Sequence, residues 1–137
     1  MVDIDMERAK NLLKSAEDLH EQGDLAGVAG SAYAAFESAI MSLTDKINGK
    51  DYHSHRLRKE RAKEMLSKHE DKMDFLWEVR NIDFYGNVKL GSSKREISPQ
   101  EVENGLKCVK EIIIEIETII NEESYNLSSL CLKNQNL

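Results

Sequence analysis

A chain of 137 residues is the size of one domain, and at that length roughly two-thirds of the unfolded surface can be buried on folding, so a core forms without staples. Hydrophobic residues make up 40% and charged residues 32%, with one proline and seven glycines; so little punctuation, with almost no β-branched alternation, favours helix. The net charge of −6 argues against a protein that coats nucleic acid through bulk electrostatics, while local basic patches stay open.

The spacing of Met6, Ala9, Leu12, Leu13, Ala16 and Leu19 predicts a first helix over about 5–21, with charges on the opposite face. Gly23 stops it, and Asp24 is placed to accept from the free N–H groups of the next helix. So short a turn makes the second helix an antiparallel neighbour. That helix, over about 25–47, carries the stripe Val28, Ala32, Phe36, Ala39, Ile40, Leu43 and Ile47. Its first half is rich in small residues. Gly27 and Gly30 each cost about 1 kcal/mol relative to alanine inside a helix, which predicts that another backbone approaches closely there. Asn48-Gly49 ends it.

After a connection over 50–55, a third helix starts near Ser54 or His55 and runs to about His69, with Leu57, Ala62, Met65 and Leu66 as its thin apolar side. The helical stretch 70–82 is denser. Met73, Phe75, Leu76, Trp77, Val79 and Ile82 cover more than one face, a pattern of burial on two sides, one of which can be a partner subunit. Residues 83–97 read as a loop. Ser98, Pro99 and Glu101 then open the last helix with an N-cap, a first-turn proline and a capping-box acid, and Val102, Leu106, Val109, Ile113, Ile116 and Ile120 form its core stripe. The expected fold is all-α: an antiparallel up-and-down four-helix bundle with an additional short helix, over residues 1–123, followed by a flexible tail over 124–137 that turns polar and patternless.

The start Met1-Val2-Asp3-Ile4-Asp5 lacks the basic-then-apolar layout of a secretory signal, and the apolar stretch 112–120, interrupted by Glu115 and Glu117, is too short to span a bilayer. Cys108 and Cys131 form no paired-ligand spacing, so a reduced, cytoplasmic compartment without a disulfide is expected. Neither a cofactor nor membrane association is called for.

Four constellations can carry chemistry. Gly27 and Gly30 do not make a phosphate loop, since no Lys-Ser or Lys-Thr follows and no strand precedes. Asp51, His53 and His55 offer ligand types for zinc or nickel, but no second paired motif completes a site, and a solvated loop with a helix cap is the plainer account. Arg56, Arg58, Lys59, Arg61 and Lys63 are the only concentrated positive charge, either a guide for a phosphate backbone or an exposed face interleaved with Glu60 and Glu64. The stretch from Trp77 to Gly86 crowds Arg80, Asn81, Asp83 and Tyr85 at the end of an apolar helix. Either Arg80 pairs with Asp83 while the Tyr85 ring caps the core, or these groups form a site.

Three blocks resemble the HEPN superfamily (higher eukaryotes and prokaryotes nucleotide-binding), especially its small stand-alone prokaryotic members. Residues 31–39, Ser-Ala-Tyr-Ala-Ala-Phe-Glu-Ser-Ala, are similar to the alanine- and aromatic-rich second helix of that family. His53-Ser54 resembles its His-Ser before the third helix. Residues 80–86, Arg-Asn-Ile-Asp-Phe-Tyr-Gly, followed by Ile97-Ser98-Pro99-Gln100-Glu101, resemble its arginine-to-aspartate-tyrosine turn and final helix.

The resemblance implies a homodimer, a nucleotide or RNA ligand, and a minimal nucleotidyltransferase as partner, often in a toxin–antitoxin pair. Active members are metal-independent ribonucleases whose motif is an arginine, a polar residue and, after four to six intervening residues, a histidine. Arg80 and Asn81 match the first two positions, but Tyr85, Gly86 and Asn87 stand where the histidine belongs. Cleavage needs a group that moves a proton near neutral pH, which histidine does and a phenol of pKa near 10 does poorly. The expectation is therefore a binding module, with Arg80, Asp83, His53 and Arg56 as nucleotide contacts and Arg80, Asn81 and Tyr85 as a degenerate catalytic set. The alternatives are a ribonuclease with an altered site and a non-catalytic structural adaptor whose dimer surface includes Phe75 and Trp77.

Overall fold

In a computed structural model of the chain, residues 3–48, 55–85 and 98–135 are described, with the side chains of 3–46, 56–78 and 98–122. The fold is all-α: α1 (Ile4–Glu21), α2 (Leu25–Asn48), α3 (His55–Met65), α4 (Glu70–Tyr85) and α5 (Pro99–Gln135), with a 3₁₀ turn, Ser67–His69, between α3 and α4. Among the described residues there is no strand.

Caps set the boundaries. The Asp3 carboxylate accepts from the Met6 amide at 3.1 Å and starts α1. At the other end the amide of Asp24 reaches the Leu19 carbonyl at 3.0 Å and that of Gly23 reaches His20 at 3.1 Å, a Schellman closure that needs the left-handed φ of +77° at Gly23. The Asp24 side chain then accepts from the Gly27 amide at 3.0 Å. At the start of α5, the Glu101 amide donates to Ser98 Oγ at 3.2 Å while the Glu101 carboxylate accepts from the Ser98 amide at 3.3 Å, the reciprocal box expected there.

Side-chain pairs fix the helix directions. Asp3, at the start of α1, accepts from Ser42 near the end of α2, so these helices are antiparallel. His20–Glu103, Glu17–Lys110 and Lys10–Glu117 run oppositely along α1 and α5, and Lys72–Glu111 and the contact of Leu76 with Gly105 do the same for α4 and α5. The core lies among these four helices. Met6, Ala9 and Ala16 come from α1; Val28, Ala32, Phe36, Ala39 and Leu43 from α2; Met73, Leu76 and Trp77 from α4; and Val109, Ile112, Ile113 and Ile116 from α5. Helix α3 folds back on α4 through the 3₁₀ turn, so that Lys63 meets Asp74 and Lys59 lies over Trp77.

Several expectations change. The third helix breaks after Met65 and resumes at Glu70; Leu57, expected on its apolar side, is exposed, and only Ala62 and Leu66 of that stripe are buried. Helix α4 continues through Tyr85, since Gly86 is the first residue after Trp77 that favours a stop. Helix α5 continues to Gln135, past the expected end near 123, because no glycine or proline follows Gly105. Among the described residues the atoms nearest to Gly27 and Gly30 are not those of a neighbouring backbone. A Cβ on Gly27 would meet the Asp24 carboxylate at 2.5 Å and Leu19 at 3.1 Å, and one on Gly30 would meet nothing within 4 Å among the described residues. Gly27 thus makes room for a cap, not for a helix. Trp77 is buried inside its own chain against Phe36, ring centroids 5.3 Å apart, which removes it from any dimer surface; Phe75 is half-buried.

Candidate functional site

Helix α4 carries the stretch singled out in sequence. Its backbone is helical at Arg80, Asn81, Asp83 and Tyr85, so position 85 follows position 81 by one turn, whereas 80 and 85 are about 140° apart around the axis. The side chains of these four residues lie outside the described set, as do His53 and the whole of the connection with Asp51; His55 begins α3, its side chain likewise undescribed. Among the described residues no group of three His, Cys, Asp or Glu can hold a metal ion, and no helix is long and apolar enough to cross a membrane.

The basic residues of α3 are described, and most are committed to neighbours. Arg58 is only 12% exposed; its guanidinium donates to Thr44 Oγ1 at 2.9 Å and to Asp45 at 3.2 Å, tying α3 to the end of α2. Thr44 passes its own hydrogen to the Ile40 carbonyl at 3.0 Å. Lys63 is held by Asp74 at 2.6 Å, which raises its pKa, with Glu70 at 4.0 Å adding to the field. Arg61 pairs with Glu64 at 2.6 Å. Arg56 is 83% exposed and reaches Glu60 at 3.7 Å, a surface pair easily exchanged for another anion. The helix is thus a set of satisfied tethers with one outlying arginine, closer to the interleaved face than to a phosphate track.

Lys59 differs. Its ammonium sits over the indole of Trp77, 4.5 Å from the ring centroid, a cation–π contact. Beside it a cavity of about 130 Å³ opens between three helices, lined by Phe36, Glu37, Ile40 and Met41 of α2, Arg58 and Lys59 of α3, and Trp77 of α4. Tyr33 donates to the Glu37 carboxylate at 2.7 Å, one turn away. Sequence reading did not single out Glu37 or Met41, although a lone carboxylate inside the alanine- and aromatic-rich block of α2 was a visible irregularity.

A second cluster lies where α4 starts against α5. Lys72 pairs with Glu111, whose pKa is lowered chiefly by that hydrogen bond, and His69 Nδ1 is 3.3 Å from the Lys72 ammonium. Cys108 is a free thiol whose pKa is raised, first by burial and then by Glu111; it is held as the unreactive thiol.

The HEPN domain family matches residues 4–119, most of the chain and all of α1 to α4. The chain belongs to the HEPN family. No curated protein matches it. Membership gives the helices a nucleotide- or RNA-related setting. Within this HEPN domain the 31–39 block is the buried centre of α2, with Ala32, Tyr33, Ala35, Phe36 and Ala39 inside the core. The arginine-to-tyrosine block forms the last turns of α4, and the Ser98 box opens α5. The cavity is bordered by the first and second of these elements, α2 and α4, and positions 80 and 81 follow Trp77 by one helical turn.

Proposed function

We propose that this HEPN protein is a nucleotide- or RNA-binding module, dimeric, acting in the cytoplasm with a minimal nucleotidyltransferase as partner in a toxin–antitoxin type of pair. The family match over residues 4–119 carries the nucleotide- or RNA-related part; the dimer and the partner rest on the resemblance of the three sequence blocks to small stand-alone members. In the same reading the helices form an up-and-down four-helix bundle, α1, α2, α4 and α5, with α3 as the additional short helix.

The chemistry favours binding over cleavage. A guanidinium at Arg80 can grip a phosphate by two parallel hydrogen bonds, and Asp83, His53 and Arg56 are the other assigned contacts. Since Arg58, Arg61 and Lys63 are already tied to acids, Arg80 carries more of the phosphate recognition than the charge count of α3 suggests. Where active members have a histidine, this chain has Tyr85, Gly86 or Asn87, none of which exchanges a proton readily near pH 7.

The test is a metal-free incubation of the protein with labelled RNA, beside an Arg80→Ala control and with binding followed in parallel. Intact RNA in both lanes, with affinity lowered roughly tenfold or more in the variant, is the expected result. Equal affinity in the variant sinks the assignment of Arg80. Cleavage by the wild type alone hands the role to an altered ribonuclease site built on Arg80, Asn81 and Tyr85. Sedimentation across a wide concentration range tests the dimer.

A further inference from the structure

We propose that the far end of α5 is a self-complementary docking element, paired antiparallel with the same segment of a second copy of this chain. The inference rests on the dimeric part of the reading above. Helix α1 runs antiparallel to α2 and to α5, so α2 and α5 run parallel. They start nearly level, since Ala29 and Ala32 share a crevice with Val102 and Gly105. Helix α2 has 24 residues and α5 has 37, so α5 outruns it by about 13 residues, roughly 20 Å. The first helix ends its contact at the same height. Lys10 meets Glu117, and α1 begins less than two turns before Lys10, at Ile4. Burial fades along α5 in step: Ile116 is fully buried, Ile119 and Ile120 partly, Asn121 and Glu122 exposed.

The apolar rhythm of α5 does not stop where the bundle does. Val102, Leu106, Val109, Ile113, Ile116 and Ile120 recur at alternating steps of four and three, and the same steps lead on through Glu123 to Leu127 and Leu130. This is the repeat of a coiled-coil seam. A helix of about 13 residues, here rich in serine and asparagine, is marginal in water by itself, so this one calls for a surface to lie on. Charge makes that surface a second copy. From 122 to 135 the charged residues are Glu122 and Glu123 at the base and Lys133 near the tip. Laid antiparallel about a two-fold axis between positions 128 and 129, two such ends set 127 level with 130 of the second copy. Position 123 then comes level with 133 and 134, and the symmetry repeats each match. A parallel pair would set acid against acid at 123. The tip of each copy also arrives at the base of the other. There, among the described residues, Ile4 in the first turn of α1 and Leu57 beside the last turns of α2 stand exposed, adding apolar area where the leucines run out.

The full chain and its variants are compared by sedimentation equilibrium across a wide concentration range. The wild type is expected to be dimeric. Glu123→Lys and Lys133→Glu each bring like charges together at both ends of the pair, and each is expected to raise the dimer dissociation constant roughly tenfold or more. An equimolar mixture of these two variants is expected to return to the wild-type constant, because each hybrid pair again joins acid to base. No role inside a single chain responds to mixing. Leu127→Asn combined with Leu130→Asn is expected to abolish the dimer, while cooperative thermal unfolding shows that the bundle still folds. Dimers that survive the leucine changes, or variants that stay weak when mixed, overturn this surface and leave the dimeric reading in place. Dimers indifferent to both charge reversals but lost with the leucines report a parallel pair and overturn the antiparallel one. A wild type that is monomeric at every concentration sinks both readings.

Discussion

Two regions of this molecule are held together by different forces. Where α1, α2 and α5 meet, apolar side chains dominate: Ala9, Ala16, Val28, Phe36, Ala39, Leu43, Val109, Ile112 and Ile116 are fully or almost fully shielded from water, and the ion pairs there sit outside, half-exposed. Around α3 the proportions reverse. Among the described residues of that segment only Ala62 and Leu66 are buried, and Arg58, Lys59 and Lys63 fasten it by a guanidinium, a cation–π contact and an ammonium–carboxylate pair. Apolar burial is non-directional and scales with area, so the first region is stable without being poised. Charged tethers are directional and individually weak at the surface, so the second can yield locally while the first stays folded. A cavity walled by both regions is therefore solid on the α2 side and adjustable on the α3 side.

Phe36→Ala strikes the residue that joins the two regions, through Tyr33 on one side and Trp77 on the other. It is expected to cost about 3–5 kcal/mol, seen in chemical denaturation as a lower midpoint of a single transition. Arg58→Met removes the best-buried tether of α3 and leaves Asp45 without that donor. A loss of roughly 1–3 kcal/mol is expected, but confined: amide exchange should quicken in α3 and not in α1 or the centre of α2. Uniform acceleration would mean that the two regions unfold as one and would erase the contrast.

Gly30→Ala tests the packed region from the favourable side. With nothing among the described residues to meet the new methyl group, the helix should gain about 0.5–1 kcal/mol. The same change at Gly27 should gain nothing or destabilise, because the Asp24 cap occupies the space. The smallest effect is in acid. Glu111 has a lowered pKa in the folded chain, so the stability it supplies with Lys72 is present above the ordinary glutamate range and is lost as pH falls through the depressed folded value. Lys72→Met should flatten the acid limb of a stability–pH profile slightly; an unchanged limb would assign it to other carboxylates.

Much of the fold is legible in the sequence, for reasons local to each element. The α1–α2 turn is written in Gly23 and Asp24, and the α5 start in Ser98, Pro99 and Glu101, because caps depend on residues three or four apart. The stripes of α1, α2 and α5 have a single apolar face and so announce what they bury. The third helix is less legible. Its charged residues carry no periodic mark of which acid each will meet, and Arg58 finds Asp45 and Thr44 only through tertiary placement. The break at 66–69 has no glycine or proline to announce it. Trp77 misleads in the other direction. An aromatic residue on a helix that is apolar on several faces looks like an interface, yet it is buried, with Phe36 of α2 and the ammonium groups of Lys59 and Lys63 of α3 lying against it. The candidate site divides the same way. Arg80 and Asn81 stand out by motif, whereas Glu37 and Lys59 become neighbours only when α2 and α3 pack.

Asp3 holds more than its position suggests. One carboxylate oxygen caps α1 through the Met6 amide, and the other receives the buried Ser42 hydroxyl of α2. A single substitution, Asp3→Ala, would remove a helix cap and take the acceptor from a hydroxyl 39 residues away at once. The fraying of α1 and the seating of α2 are thereby tied to one carboxylate.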